Sequence, residues 1–198
     1  MTVKQLLDAV LPRLSAPALS FMEAVNAATA VLFQRLVALE ADLVKAPLSL
    51  AFTAQAPVAV LPADFRGLAE LPYLVGQDAP LTPYARNARA ADDGQTAATP
   101  QHYEVLGDSL YLRRPPATDQ ALKGLYFRWP GEVAALSDTL PYAGVFDPLY
   151  REAVPRICQE GYGIVADPAF DLFIAQQVDH LLPKRNSHQP LRRRVRDF

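Results

Sequence analysis

The N-terminal part of the chain alternates apolar and polar residues with the period of an α-helix. In residues 3–11 apolar side chains recur at helical spacing until Pro12, which cannot continue a helix. A longer stripe over 18–45 repeats every three or four residues, through Met22, Val25, Thr29, Leu32, Leu36, Leu39 and Leu43. We predict helices over 3–11 and 18–45. For the second, a core helix is favoured over a self-associating coiled coil, because the stripe is short and wider than a strict seam.

The pattern changes over residues 48–130. Short apolar or alternating runs are separated there by clusters of Pro, Gly, Asp and Asn, which is typical of a small antiparallel β region. The sequence Leu106-Gly107-Asp108-Ser109 joins two such runs, and Gly107 can supply the positive φ that a tight hairpin needs. Residues 77–101 are polar, rich in alanine and bounded by prolines, so we predict a long exposed loop.

Helical periodicity returns towards the C-terminus, over about 148–160 and 168–182. Both stretches begin with Asp-Pro, at Asp147 and Asp167, which places a capping side chain before a proline in the first turn. The predicted fold is therefore α+β and mainly helical. It is a helical bundle of two N-terminal and two C-terminal helices, with a small antiparallel β region inserted. Residues 1–183 would form a single domain, and 184–198 an extended C-terminal tail.

Composition agrees with a globular domain, since 51% of the residues are hydrophobic and 20% are charged. Eighteen prolines predict many irregular connections. Cys158 is the only cysteine, so an intrachain disulfide is excluded and synthesis in a reducing cytoplasm is indicated. The sequence shows neither an apolar run long enough for a membrane span nor the pattern of a signal peptide, so we expect no membrane association.

Charge is distributed unevenly along the chain. Residues 184–198 hold six of the 19 basic residues and one of the 21 acids, so residues 1–183 carry 13 bases against 20 acids. The asymmetry predicts a basic interaction tail on an acidic body. A merely solubilising tail is the alternative interpretation.

Candidate chemistry is sparse. His102, His180 and His188 belong to no catalytic or metal-binding motif, and Cys158 lies on an apolar helical face where a buried thiol is expected. We predict no catalytic residue, no cofactor, no metal site and no enzymatic activity. Direct nucleic-acid binding is a weaker hypothesis. Arg192–Arg194 and Arg196 could contact phosphates, but the body is acidic and its aromatic residues are not interleaved with bases.

Three motifs occur in order along the chain. They are a strand ending in Leu61-Pro62-Ala63-Asp64-Phe65, a segment from Tyr103 through Gly107 to Pro115, and a turn over Ser137-Asp138-Thr139-Leu140-Pro141. With these motifs the sequence resembles the head–tail adaptor (connector) proteins of tailed bacteriophages over about residues 50–165. The positions that carry the resemblance are Leu61, Pro62, Asp64, Phe65, Tyr103, Gly107, Asp138 and Pro141. We expect Phe65 to be buried and Asp64 to fix the turn.

The resemblance implies a structural virion protein at the head–tail junction, made in the host cytoplasm. It further implies a homo-oligomeric ring, usually of about twelve copies, that contacts the portal protein and tail or nozzle proteins. Packaged DNA would pass through its channel without sequence-specific binding. The tail would reach the portal through Lys184, Arg185, Arg192, Arg193, Arg194, Arg196 and Phe198. A virion-associated hydrolase and a small nucleic-acid-binding protein remain the alternatives.

Overall fold

The fold consists of helices at both ends of the chain and β-strands between them. A computed structural model describes residues 1–14, 19–84 and 100–182. Its α-helices are α1 (Val3–Val10), α2 (Phe21–Ala38), α3 (Asp147–Glu160) and α4 (Pro168–Leu181). Its strands are β1 (Lys45–Phe52), β2 (Val58–Val60), β3 (Phe65–Leu68), β4 (Tyr73–Leu74), β5 (Thr82–Pro83), β6 (His102–Leu106), β7 (Ser109–Leu112) and β8 (Gln120–Arg128).

The prediction of a mainly helical bundle with a small β insertion is wrong. The described residues form four α-helices and two four-stranded sheets. The contacts divide the chain into two compact units, which we call the helical unit (1–36 and from 132 onward) and the β unit (37–131). The short runs over 48–130 do form strands, but the sequence did not indicate that these pair into two four-stranded sheets, because strand pairing joins residues that are distant in sequence.

The predicted helix over 18–45 is also wrong at its C-terminal end. Helix α2 stops at Ala38, Glu40 turns the chain with a φ of 50°, and strand β1 begins at Lys45. The stripe is buried from Val25 to Leu36, whereas Leu39 and Leu43 are exposed. Helical spacing alone did not reveal that the last two leucines of the stripe belong to a different backbone conformation.

Side-chain hydrogen bonds cap the first turns of two helices in the helical unit. Thr2 and Gln5 form a capping box at the start of α1, with Gln5 N donating to Thr2 Oγ1 over 3.2 Å. Ser20 and Glu23 satisfy the first turn of α2 in the same way. Helix α3 contacts both α1 and α4. It contains Pro155 and begins after Phe146, so Asp147 is not its capping residue, contrary to the sequence prediction.

Two sheets share one hydrophobic core in the β unit. In the first sheet β8 lies between β1 on one side and β3 and β4 on the other. The second sheet has the order β2-β7-β6-β5. Side chains of both sheets meet in the core, including Leu48, Leu50, Phe52, Ala59, Leu74, Leu110, Leu112 and Leu122. The alternation of buried and exposed residues along β1 follows from this arrangement, since only one face of each sheet meets the core.

Two details of the β unit differ from the sequence-based expectation. The apolar run over Phe65–Val75 forms two short strands, β3 and β4, separated by a break. The predicted exposed loop over 77–101 includes β5, which pairs with β6 in parallel through Thr82 and Pro83. All other strand pairs in the described residues are antiparallel. Residues 85–99 of that loop lie outside the described residues.

Candidate interaction surfaces

The turn between β2 and β3 is held by the carboxylate of Asp64. Its Oδ1 accepts a hydrogen bond from the hydroxyl of Tyr126 at 2.9 Å, and its Oδ2 accepts one from Nε of Arg128 at 2.8 Å. The backbone oxygen of Asp64 accepts a third from the amide of Trp129. Burial, followed by the hydrogen bond to Asp64, raises the pKa of Tyr126. Asp64 therefore ties the turn to the end of β8.

The neighbouring motif residues are packed to different extents. Leu61 is buried, and its amide donates to the backbone oxygen of Asp108 in the hairpin between β6 and β7. Phe65 stacks on Tyr126 with ring centroids 5.7 Å apart, but it is only partly buried, contrary to the expectation of a core residue. Pro62 accepts a hydrogen bond from the Phe65 amide.

The remaining motif residues lie at turns and in the core. Tyr103 is buried, and desolvation raises its pKa. Gly107 occupies the hairpin turn with a φ of 60°, a conformation that side-chain-bearing residues adopt rarely. Asp138 accepts hydrogen bonds from the amides of Ala134 and Ala135, each at 2.8 Å, and these lower its pKa. Pro141 is partly buried three residues further on.

The outer face of the second sheet exposes apolar side chains where polar ones are usual. Val58 lies opposite Tyr111, while Val60 and Leu106 both lie opposite Ser109. All four large residues are exposed, Val60 to 70%. We call this surface, formed by Val58, Val60, Leu106 and Tyr111, the Val60 face. Contiguous exposed apolar residues on one sheet face mark a protein–protein contact surface.

A second apolar surface lies on the outer face of the first sheet. Leu71, Tyr73 and Val75 alternate with the buried Pro72 and Leu74, and all three are between 44% and 48% exposed. The register places Tyr73 opposite Lys123 of β8. We call this surface, formed by Leu71, Tyr73, Val75 and Lys123, the Tyr73 face. Sequence reasoning missed both faces, although the spacing of two between these apolar residues is a signal that could have identified them.

An aromatic groove of about 430 Å³ opens beside β3. Phe65 and Leu68 line it from β3, and Tyr84 and Tyr103 line it from the side of β5 and β6. At its rim, the guanidinium of Arg113 lies over the ring of Tyr84, 4.4 Å from the centroid. Arg66 and Glu104 also line the groove, but most of its lining residues are apolar or aromatic, which suits an apolar contact.

The residues predicted to bind the portal lie outside the described residues. They are Lys184, Arg185, Arg192, Arg193, Arg194, Arg196 and Phe198. The described part of the helical unit carries ten acids against five basic side chains, and that of the β unit eight against six. The acidic body expected from the sequence is thus concentrated in the helical unit.

The described residues show no metal site and no activated thiol. No group of three or more His, Cys, Asp or Glu side chains in that part of the chain could hold a metal ion. Cys158 is buried, and burial raises the pKa of its thiol, which disfavours the nucleophilic thiolate. His102 Nδ1 lies 2.7 Å from the hydroxyl of Thr82. Within the same residues, no helix has both the length and the apolar character of a membrane span.

Comparison with known proteins identifies the family. The sequence matches the SU10 adaptor protein family over residues 1–192, which is nearly the whole chain. No curated protein is significantly similar to it. The match confirms the resemblance that the three sequence motifs indicated. The chain belongs to the SU10 adaptor protein family.

Proposed function

From this membership we propose that the chain, a structural adaptor protein of a phage, joins the portal to the tail as part of a ring around the DNA channel. The family match carries the proposal, because it extends from the N-terminus into the basic tail. The two exposed apolar faces support it, since surfaces of this kind serve contacts with other polypeptides. A structural adaptor needs no bond-making centre, and this supports the expectation that the chain is not an enzyme.

The charge distribution supports different roles for the acidic body and the basic tail. An acidic body is suited to a channel wall, because negative charge keeps the polyanionic DNA from adhering as it passes. A basic tail is suited to an acidic or polar cleft on the portal, where its six cationic side chains would form charge-assisted hydrogen bonds. Packaged DNA is therefore expected to pass without sequence-specific recognition.

Mixing the purified chain with the purified portal tests this function directly. We expect a complex whose mass, measured by native mass spectrometry, corresponds to a portal with a full ring of adaptors. Deletion of 184–198 should abolish the complex while leaving the circular dichroism spectrum and thermal melt unchanged. A portal that binds the truncated chain as tightly as the full one would contradict the role of the tail.

A matched variant separates the charge of the tail from its length. Replacing Arg192, Arg193, Arg194 and Arg196 by glutamine keeps all 198 residues but removes four positive charges. We expect it to bind the portal much more weakly and with a shallower dependence on salt concentration, because fewer ion pairs form. Binding with the salt dependence of the wild type would show that the tail acts through its apolar residues instead.

A further inference from the structure

The helical unit contains an irregular segment between strand β8 and helix α3, and we call its residues 132–141 the strap. Two side chains of the strap, Val133 and Leu140, are buried. Residues 134–137, which lie between them, are exposed. The strap is therefore held by one apolar anchor near each end, with an exposed turn between the two anchors.

The side chain of Asn26, on helix α2, fixes the first anchor. Its Nδ2 donates to the backbone oxygen of Val133 over 3.1 Å, and its Oδ1 accepts from the amide of Val133 over 2.9 Å. One side-chain amide thus satisfies both backbone groups of a single residue, as a neighbouring strand does in a sheet. The site is partly buried, so these backbone groups depend on Asn26 for their partners.

The turn between the anchors satisfies the start of helix α1. The first amides of a helix have no acceptor within the helix itself. The Val3 amide donates instead to the backbone oxygen of Asp138, and the Lys4 amide donates to that of Leu136, each over 2.9 Å. The strap and the first turn of α1 therefore hold each other in place.

Further hydrogen bonds complete this turn. The carboxylate of Asp138 accepts from the amides of Ala134 and Ala135, and the amide of Leu140 donates to the backbone oxygen of Met1 over 3.1 Å. Asp138 is thus bonded both within the strap and, through its backbone, to α1. The strap and the start of α1 form one connected set of hydrogen bonds.

The backbone immediately after the strap is strained. Tyr142 has a φ of 57°, in the left-handed region that residues with large side chains adopt rarely. Such a conformation persists only while the surrounding contacts hold it. Release of the strap would let Tyr142 return to an ordinary φ, so the strain favours an open strap.

We propose that the strap is a latch, which opens together with the first turn of α1 as one local unit while the cores of both units stay folded. Asn26 is the positioning residue that keeps the latch closed. Opening moves only three buried side chains into water, those of Val3, Val133 and Leu140. Global unfolding exposes the whole core, so the open latch lies closer in free energy to the native state. The inference does not depend on the proposed function.

Native-state hydrogen exchange of the full-length chain tests the latch. NMR follows the amides that join the strap to α1, which are those of Val3, Lys4 and Leu140. We expect their exchange to report one common opening equilibrium with little dependence on urea, because opening exposes little surface. The amide of Tyr150 donates to the backbone oxygen of Phe146 in the core of the helical unit. It should exchange more slowly and with a steep dependence on urea.

Three variants separate the latch from general stability. Asn26→Ala removes both bonds to Val133 and should accelerate the three amides by a common factor of about tenfold, the effect of losing hydrogen bonds of this kind. Gln34→Ala, at an exposed residue of the same helix, is the matched control and should leave their rates unchanged. Ile174→Val, in the core of α4, should accelerate the Tyr150 amide but not the three amides of the latch.

Two results would overturn the proposal. If the three amides of the unsubstituted chain show the urea dependence of the Tyr150 amide, the strap opens only through global unfolding. If Asn26→Ala accelerates only one of the three, the strap and α1 open separately. The first result needs no variant, so it does not depend on how well Asn26→Ala folds. Neither result bears on portal binding, so the proposed function is tested independently.

Discussion

The helical unit and the β unit differ in where they place polar and apolar groups. The helical unit buries a polar pair, in which the hydroxyls of Thr29 and Tyr150 lie 2.9 Å apart, and it carries twice as many acidic as basic side chains in its described residues. The β unit has a core of apolar and aromatic side chains and also exposes apolar residues on both outer faces. The helical unit thus combines a buried polar pair with an acidic exterior, whereas the exposed apolar residues of the β unit are grouped on its two sheet faces.

This difference predicts which substitutions affect folding and which affect assembly. Changes inside either unit should lower the free energy of unfolding, because buried contacts are lost. Changes on the Val60 and Tyr73 faces should alter association while leaving stability within about 0.5 kcal/mol, since exposed side chains contribute little to it. Substitutions of residues with internal contacts test the first of these two expectations.

Removal of a large core side chain from each unit is expected to have the largest effect. Phe146→Ala in the helical unit and Phe52→Ala in the β unit each remove a fully buried ring. Each should lower the free energy of unfolding by about 3–5 kcal/mol through lost burial and a residual cavity. Chemical denaturation measures the loss, and hydrogen exchange should show loss of protection centred on the substituted unit. A loss below about 1 kcal/mol at either site would contradict the assigned core.

In the helical unit, substitution of the two members of the buried hydroxyl pair should lower the free energy of unfolding by different amounts. Thr29 also donates to the backbone oxygen of Val25, so Tyr150→Phe leaves it satisfied and should cost only about 0.5–1.5 kcal/mol. Thr29→Val would leave the Tyr150 hydroxyl buried without its partner and should cost about 1–3 kcal/mol. Denaturation of the single and double variants measures the coupling. Equal losses, or additive ones, would argue against this hydrogen bond.

The Asp64 turn offers a corresponding test in the β unit. Asp64→Ala removes the acceptor for both Tyr126 and Arg128 and should cost about 1–2 kcal/mol, because the site is partly exposed. Phe65→Ala should cost a similar amount, below that of a core phenylalanine, since Phe65 is only partly buried. Asp78→Ala, at an exposed acid, is the control and should leave the melting temperature unchanged.

The smallest expected effect concerns pH. Backbone hydrogen bonds from Ala134 and Ala135 lower the pKa of Asp138, so this carboxylate binds a proton more weakly in the folded state than in the unfolded state. Its contribution to stability is complete above the ordinary aspartate pKa of about 4 and is lost as the pH falls through the lowered value. Asp138→Asn should therefore weaken the dependence of the melting temperature on pH below about 4. An unchanged dependence of the melting temperature on pH would argue against the hydrogen bonds that Asp138 accepts in this turn.

The sequence predicted local features well where they depend on a few neighbouring residues. Helix α1 ends at Val10, close to Pro12, Asp167 caps α4 through the amide of Ala169, and Gly107 forms the hairpin turn. The family resemblance also came from short motifs. The local features depend on one residue and its near neighbours. A proline has a fixed φ and no amide hydrogen, and a capping side chain offers an oxygen to an amide nearby.

The predicted portal-binding residues lie outside the described residues. They remain a prediction from charge and resemblance. The aromatic groove and the two faces, by contrast, were not predicted at all. Phe65 and Tyr103 are far apart in sequence, and only the arrangement of β3 and β6 places both in one groove.

By itself the sequence determined the order of helical and β segments, the start of most elements and the separation of an acidic body from a basic tail. Only the tertiary structure decided where α2 ends, that two sheets share one core, and that the exposed apolar residues form two faces. The physical reason is that the spacing of apolar residues shows which side chains lie on the same face of a helix or strand and could be buried together. Which of them are actually buried depends on strand pairings between residues distant in sequence, and Val58 next to Tyr111 is such a case.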